Sequence, residues 1–168
     1  MQNWLSLLTL LAVWPVLAPR FLPAAPAATQ VSLLLASETV KPGETVLAGL
    51  HMTMTPPWHV YWRNPGVGIP PSLAWQLPTG ISTGEIQWPV PHKFITNGLT
   101  TYEYSHEVVL LFPIKIAADT AKGSHTLTAK VAWLECVTGG VCVPQKAAVT
   151  VSLTVGDVTK PSASAALL

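Results

Sequence analysis

The chain has little charge and few groups that could bind polyanions. Lysine, arginine, aspartate and glutamate together make up 10% of its 168 residues, and the formal net charge is +1. Nucleic-acid binding depends on clustered lysine and arginine, so the composition argues against that function. Beyond the N-terminus no apolar run approaches the ~20 residues of a transmembrane helix. No Gly-rich phosphate loop, Ser/His/Asp order or pair of catalytic carboxylates stands out.

Proline is abundant, and its placement favours strands over helices. The 16 prolines lie mostly in loop-like stretches, so long helices are not expected. Residues 146–155 alternate between larger apolar side chains and small or polar ones, and residues 127–133 repeat the pattern. Such a period of two is typical of half-buried strands. About seven or eight short strands separated by Pro and Gly turns predict an all-β, immunoglobulin-like β-sandwich.

The predicted strands occupy most of the chain after residue 30. They are placed at residues 31–36, 45–54, 58–63, 73–77, 85–88, 107–116, 125–135 and 146–155. Residues 89–101 are predicted to form a long irregular loop. The chain then divides into a leader at 1–27, one domain at 28–157, and a segment at 158–168. That last segment is expected to be a flexible tail or the start of a further C-terminal region.

The N-terminus has the pattern of an export signal. An apolar block at residues 4–18 is followed by small residues, with Ala25-x-Ala27 as a cleavage motif. The block is shorter than the ~20 residues of a membrane span, and Pro15 and Pro19 interrupt it. A short membrane anchor is the alternative, because the first residues lack the Lys or Arg usual in a signal peptide. We expect residues 1–27 to be a cleaved signal peptide.

The chain contains two cysteines, Cys136 and Cys142, between the last two predicted strands. Gly139 and Gly140 lie between them and allow the chain to fold back, so that the sulfurs can approach. An exported chain meets an oxidising compartment, which favours a disulfide. Closing so short a loop stabilises a fold by only about 2 kcal/mol. The spacing leaves two interpretations open, a redox-active disulfide and a hairpin staple.

Other uses of the cysteines fit the sequence less well. A thioredoxin-type site needs Cys-x-x-Cys next to a βαβ pattern, and neither is present. A structural zinc ion needs four ligands, and no histidine lies close in sequence to the two cysteines. We therefore expect no metal and no organic cofactor, and the reactive group of a redox site would be the disulfide itself.

Several groups of residues carry a resemblance to a known family. They are residues 58–66 (WHVYWRNPG), 70–75 (PPSLAW), 87–89 (QWP), 102–104 (YEY), 107–110 (EVVL), 133–136 (WLEC) and 142–144 (CVP). Together they resemble the N-terminal periplasmic domain of the DsbD thiol:disulfide interchange proteins, and most closely the ScsB-like branch. The resemblance extends over residues 31–155.

The resemblance implies an immunoglobulin-like sandwich that relays electrons in the periplasm, with protein-disulfide reductase-type chemistry. Its partners would be thioredoxin-fold proteins: a donor domain, and disulfide isomerases or cytochrome-maturation proteins as acceptors. Cys142 would form mixed disulfides with partners, and Cys136 would resolve them. We expect a monomer. This chain carries no polytopic membrane region and no thioredoxin-like domain. It would therefore be a fragment, or a domain whose membrane electron donor acts in trans.

Five further residues are candidates for the surroundings of the redox site. If the tryptophans on either side point inward, His59 and Tyr61 share the opposite face of their strand, and the resemblance places them beside the cysteines. Glu135 adjoins the first cysteine and would disfavour its thiolate by like-charge repulsion. For these residues the alternative is an ordinary surface role. The family's flexible cap loop would lie within residues 97–105, with Tyr102 or Tyr104 over the sulfurs.

Two other functions remain as alternatives. A structural sandwich with an inert disulfide is one. The second is a copper-tolerance protein, because His51, Met52, Met54 and His59 are ligand types that suit Cu(I). Strand alternation argues against a copper site, since Met52 and Met54 face one way and His51 the other.

Overall fold

The computed structural model describes residues 27–168, and most of them lie in strands. The predicted leader, residues 1–27, lies outside the described residues except for Ala27. Among residues 27–168 no helix is long and apolar enough to cross a membrane. The elements are β1 Thr29–Leu35, β2 Ser37–Val40, β3 Thr45–Met54, β4 Trp58–Tyr61, β5 Ser72–Gln76, β6 Ile81–Thr83, β7 His92–Thr96, β8 Leu99–Ser105, β9 Glu107–Ile116, β10 Gly123–Val137, β11 Cys142–Val155, β12 Lys160–Pro161 and a 3₁₀ helix Ala165–Leu167.

Two sheets pack face to face around one hydrophobic core. The first has the strand order β1-β3-β9-β6. The second has the order β12-β2-β11-β10-β4-β8-β7, and β5 also pairs with β10. The most deeply buried side chains between the sheets are Leu50, Met52, Leu110, Phe112, Ile114, Val60, Leu127, Val131, Leu153 and Val155. The predicted all-β, immunoglobulin-like sandwich is therefore confirmed.

The long hairpin of β10 and β11 positions the cysteines. Its strands pair without interruption from Gly123–Val155 to Cys136–Cys142. Leu127, Ala129, Val131 and Trp133 are buried in the core, which is the period of two expected for a strand with one face on a core. The buried side chains fix the register, because a slip of one residue would move them to the other face. The cysteines are thereby held opposite each other.

The prediction of an irregular loop at residues 89–101 is wrong. Strands β7 and β8 form a hairpin there, joined by Asn97 and Gly98. Both turn residues have positive φ, 51° and 77°, as in the type I′ turn that Asn-Gly favours. The strand pattern was hidden because β7 is exposed on both faces and shows no apolar alternation. Through β8 this hairpin pairs with β4, next to the cysteine-bearing strand.

Two other segments also differ from prediction. Residues 85–88 form no strand, and Gln87 contributes one isolated bridge to Leu111, while β6 pairs with the end of β9. The segment 158–168, predicted to be a flexible tail or the start of a further C-terminal region, contains β12, which pairs with β2. Ser162 holds it further, since its backbone N–H donates to the carbonyl of Ala36 at 3.0 Å.

Candidate functional site

A disulfide joins Cys136 and Cys142 across the last residue pair of the β10–β11 hairpin. The turn beyond it is closed by two backbone hydrogen bonds. Val137 N–H donates to Val141 O at 3.0 Å, and Gly140 N–H donates to Val137 O at 2.8 Å. Gly139 adopts φ 67°, a left-handed conformation that glycine enters without steric cost. The two glycines therefore allow the tight reversal that the spacing predicts.

The two cysteines differ in exposure. Cys136 is only 1% exposed, whereas Cys142 and the turn residues before it are exposed. A large partner can therefore reach Cys142 but cannot reach Cys136 without displacing other residues. Thiol–disulfide exchange requires an accessible sulfur, and of the two cysteines only Cys142 is an exposed residue.

His59 and Tyr61 lie beside the disulfide. Strand β4 pairs with β10 so that His59 is directly opposite Cys136. Val60 between them is fully buried in the core, so His59 and Tyr61 occupy the other face of β4. Both are nevertheless 4% exposed, because side chains and a loop cover them. In that loop Gly68 lies against the Tyr61 ring, where a Cβ would come within 2.5 Å of Cε1.

A third buried polar side chain, Glu103, completes this group. It lies on β8 opposite Tyr61 and is 3% exposed. His59 Nε2 is 3.1 Å from Glu103 Oε2 and 3.4 Å from the Tyr61 hydroxyl. The Thr101 hydroxyl donates to the same Glu103 oxygen at 3.2 Å. Sequence reasoning did not find Glu103, since only the pairing of β4 with β8 brings it to His59.

Burial controls the charge of this group. It lowers the pKa of His59 and raises the pKa of Glu103, although the Thr101 hydrogen bond and the positive potential of His92 oppose the Glu103 shift. Burial also raises the pKa of Tyr61, and the charge of Glu103 adds to that effect. Burial therefore favours the neutral form of His59, and in that form an Nε2–H can donate a hydrogen bond to Glu103 Oε2. The group carries at most the one negative charge of the carboxylate.

The disulfide and the buried polar group share one cleft of about 290 Å³. Its walls come from β4, from the β7–β8 hairpin and from the cysteine turn. The lining residues are His59, Tyr61, Val67, Thr96, Asn97, Leu99, Thr101, Glu103, Cys136, Val137, Thr138, Gly139, Gly140 and Cys142. The Asn97-Gly98 dipeptide, which favours a two-residue hairpin turn, was the sequence signal for the β7–β8 wall.

Tyr102 and Tyr104 do not line this cleft. Tyr104 is buried in the sandwich core, and its hydroxyl donates to the backbone carbonyl of Pro89 at 2.7 Å. The ring of Tyr102 packs against Trp62 with 5.7 Å between centroids. The part of the predicted cap segment that reaches the cleft is Asn97, Leu99, Thr101 and Glu103, because these residues alternate with the tyrosines along β8 and its turn.

Glu135 also has a different setting from the one predicted. It is 2% exposed, so the alternative of a solvated carboxylate at a strand end is wrong. Its carboxylate accepts hydrogen bonds from the backbone N–H groups of Ala28 (3.1 Å) and Thr29 (2.9 Å). Gln145 Nε2 and Trp133 Nε1 also donate to it, at 2.9 and 3.4 Å. Glu135 thus ties the start of β1 to the hairpin, and it does not line the cleft.

The residues considered for copper are separated. Met52 and Met54 are buried in the hydrophobic core. His51 faces the other way, and its Nε2 is 2.7 Å from Glu107 Oε1. Within residues 27–168 no group of three or more His, Cys, Asp or Glu side chains could hold a metal ion.

Fold and site together define a class of protein, the immunoglobulin-like domains that carry a surface disulfide over a polar cleft. The family described as "Thiol:disulfide interchange protein DsbD, N-terminal" matches residues 22–154, and the chain belongs to this family. Membership and the closed Cys136–Cys142 pair support a role in thiol–disulfide exchange. None of the curated proteins compared with this chain matches it.

The comparison with solved structures gave matches that include two from related domains. The N-terminal periplasmic domain of ScsB from Proteus mirabilis has a TM-score of 0.57 and 23% identity, over 83% of this chain and 51% of that one. The chain thus spans about half the length of that ScsB structure. The reduced N-terminal domain of DsbD from Neisseria meningitidis has a TM-score of 0.44 and 14% identity, over 80% of this chain and 91% of that one.

Proposed function

We propose that this domain relays reducing equivalents between thioredoxin-fold proteins in the periplasm through Cys136 and Cys142. One observation carries the proposal: an exposed cysteine bonded to a buried one, at a hairpin end above a polar cleft. The periplasmic assignment rests on the family and on the ScsB relative, whose solved domain is described as periplasmic. Export by the leader at residues 1–27 belongs to the same proposal.

The exposure of the two sulfurs suggests their roles. In the reduced domain the Cys142 thiolate attacks a disulfide sulfur of the acceptor, and the acceptor's second sulfur leaves as a thiolate. The Cys136 thiol then loses its proton and attacks Cys142, which releases the acceptor in its dithiol form. Two electrons pass to the acceptor, and the Cys136–Cys142 disulfide is restored. A reduced thioredoxin-fold donor reverses these steps and recharges the domain.

Cys142 is the partner-facing sulfur in this scheme because a second protein can approach it from solvent. Cys136 is the resolving sulfur because it is buried directly behind it, opposite His59. A buried resolving thiol cannot form a mixed disulfide with a large partner, so partner capture is confined to one cysteine. The chemistry needs no metal or organic cofactor.

An inert hairpin staple is the competing function, and the reduction potential separates the two. The potential is measured by equilibrating the domain with glutathione or dithiothreitol buffers and counting free thiols. A relay disulfide must exchange electrons with thioredoxin-fold partners, so its potential should lie well above about −300 mV. A potential below about −300 mV would instead indicate a structural disulfide and overturn the proposal.

A further inference from the structure

The buried pair His59–Glu103 lies behind the disulfide and outside the hydrophobic core of the sandwich. Both side chains are more than nine-tenths buried, and both line the cleft with the cysteines. Replacing a buried polar pair by apolar residues costs a fold little or even stabilises it. A buried pair beside a reactive group is therefore a candidate for chemistry.

Strand register brings the pair within reach of the buried cysteine. His59 lies directly opposite Cys136 in the β4–β10 pairing, and side chains of such cross-strand partners are neighbours, with Cβ atoms about 4.5–5.5 Å apart. The histidine directs Nε2 to Glu103 and Tyr61, which leaves Nδ1 as its second proton-binding atom. Cys136, His59 and Glu103 are thus neighbours in that order. The same order of groups occurs in sites where a histidine acts as the base for a nucleophile and a third group orients the histidine.

We propose that the His59–Glu103 pair accepts the proton of Cys136 when this cysteine resolves a mixed disulfide. This inference rests on the proposed exchange function. The Cys136 S–H bond breaks, the proton is taken up by the pair, and the resulting thiolate attacks the sulfur of Cys142. The Cys142–partner bond breaks, and the pair returns the proton to the departing partner thiolate. No electrons beyond the two of the exchange are involved.

Charge balance supports this path. A thiol surrounded by protein gives up its proton reluctantly, because a buried thiolate loses hydration. With the carboxylate of Glu103 in place, the cleft holds one negative charge before the transfer and one afterwards, so no new buried charge is created. Burial raises the pKa of Glu103, which makes that carboxylate a stronger proton acceptor than a solvated one. The ionisable groups facing the pair are Tyr61 on β4, Cys136 on β10 and His92 on β7.

The test uses Ellman's reagent with the reduced domain. The exposed Cys142 reacts first and releases one thionitrobenzoate, and attack by Cys136 on the mixed disulfide then releases the second. Glu103→Gln should leave the first phase unchanged and slow the second at least about tenfold at neutral pH, a modest general-base effect. It should also shift the pH dependence of the second phase to higher pH. Glu107→Gln is the matched control, because Glu107 pairs with His51 and neither residue lines the cleft.

The outcomes are distinct. Coinciding pH profiles for the second phase in wild type and Glu103→Gln would overturn the proton-acceptor role and leave the exchange function standing. Absence of thionitrobenzoate release in the reduced wild type would overturn the exchange function itself. Should Glu103→Gln fail to fold, His59→Gln carries the same test, with the same expected slowing and the same refuting result.

A second inference concerns Glu135, which is buried near the start of β1. Its carboxylate accepts four hydrogen bonds from uncharged donors, and among the described residues no Lys, Arg or His pairs with it. A buried carboxylate is costly without an opposite charge. The nearest atom that could acquire one is the backbone nitrogen of Ala28, 3.1 Å from Oε1.

We infer that the Ala27–Ala28 bond is a processing site and that the freed amine of Ala28 is the counter-ion of Glu135. The Ala25-x-Ala27 motif places a leader peptidase cut at this bond. Hydrolysis by one water leaves a carboxylate on Ala27 and an ammonium group on Ala28, since a free α-amine has a pKa near about 7.7–8.0. The cut would therefore supply a positive charge at the position where the buried carboxylate lacks one.

N-terminal sequencing of the chain exported by a bacterial host tests the cut, with Ala28 expected as the first residue. Stability tests the ion pair. The domain beginning at Ala28 is compared with one carrying a single extra glycine before it, each with Glu135 and with Glu135→Gln. The extension should lower the denaturation midpoint with Glu135 and have little effect with Glu135→Gln. A different first residue, or an equal effect of the extension in both backgrounds, would overturn the inference.

Discussion

Reducing the Cys136–Cys142 bond should cost the domain little stability. The bond closes a loop between residues six apart in sequence, for which chain entropy gives about 2 kcal/mol. The hairpin already holds the two cysteines opposite each other through the uninterrupted β10–β11 pairing. Its register is fixed independently by buried side chains such as Leu127 and Leu153. The fold therefore does not depend on the bond.

Urea unfolding of one and the same protein, with and without a phosphine reductant, measures this cost. The chain's 7 tryptophans provide the fluorescence signal. The free energies of unfolding should differ by about 2 kcal/mol, with the reduced domain still folded. A loss above about 4 kcal/mol, or unfolding on reduction, would mean that the bond is a structural staple, and the reasoning from loop length would be refuted.

Three further results are expected. Burial lowers the pKa of His59 below its ordinary 6.5, so the stability that it contributes is complete above pH 6.5 and is lost as the pH falls below it. Urea unfolding over a pH series should show a smaller loss of stability at low pH for His59→Gln than for the wild type, and an equal loss in both would contradict this. Gly68→Ala should destabilise by more than about 1 kcal/mol, because its Cβ would strike the Tyr61 ring, whereas Gly98→Ala, with open space around it, should cost less in the same assay. Tyr104→Phe should cost about 1 kcal/mol through one lost hydrogen bond but leave the rate of thiol exchange unchanged, and a slowed exchange would place this tyrosine in the site after all.

Much of the fold could be predicted from the sequence because the core strands alternate. The predicted bounds of β3 (Thr45–Met54) and β9 (Glu107–Ile116) agree with the structure, since their apolar side chains pack on the core. The β7–β8 hairpin was missed because it packs mostly outside the core, where apolar periodicity gives no signal. Its Asn97-Gly98 turn was the available indication.

The site was harder to predict, because its residues meet only through strand pairing. Two cysteines close in sequence predict a disulfide bond even before the structure is known. Glu103 and His59 stand on strands whose pairing a single sequence does not reveal. Glu135 was expected near the disulfide because it adjoins Cys136, yet adjacent residues on a strand point to opposite faces. The same alternation places Glu103 in the cleft and Tyr104 in the core.

Partner trapping tests the central claim most directly. Cys136→Ala and Cys142→Ala are each expressed in the periplasm, and mixed disulfides are separated on non-reducing gels and identified by mass spectrometry. Cys136→Ala should accumulate thioredoxin-fold proteins bound through Cys142, because the resolving thiol is missing. Cys142→Ala should capture almost none, because the remaining sulfur is buried. Absence of thioredoxin-fold partners from the Cys136→Ala trap, or equal capture by both variants, would contradict the account.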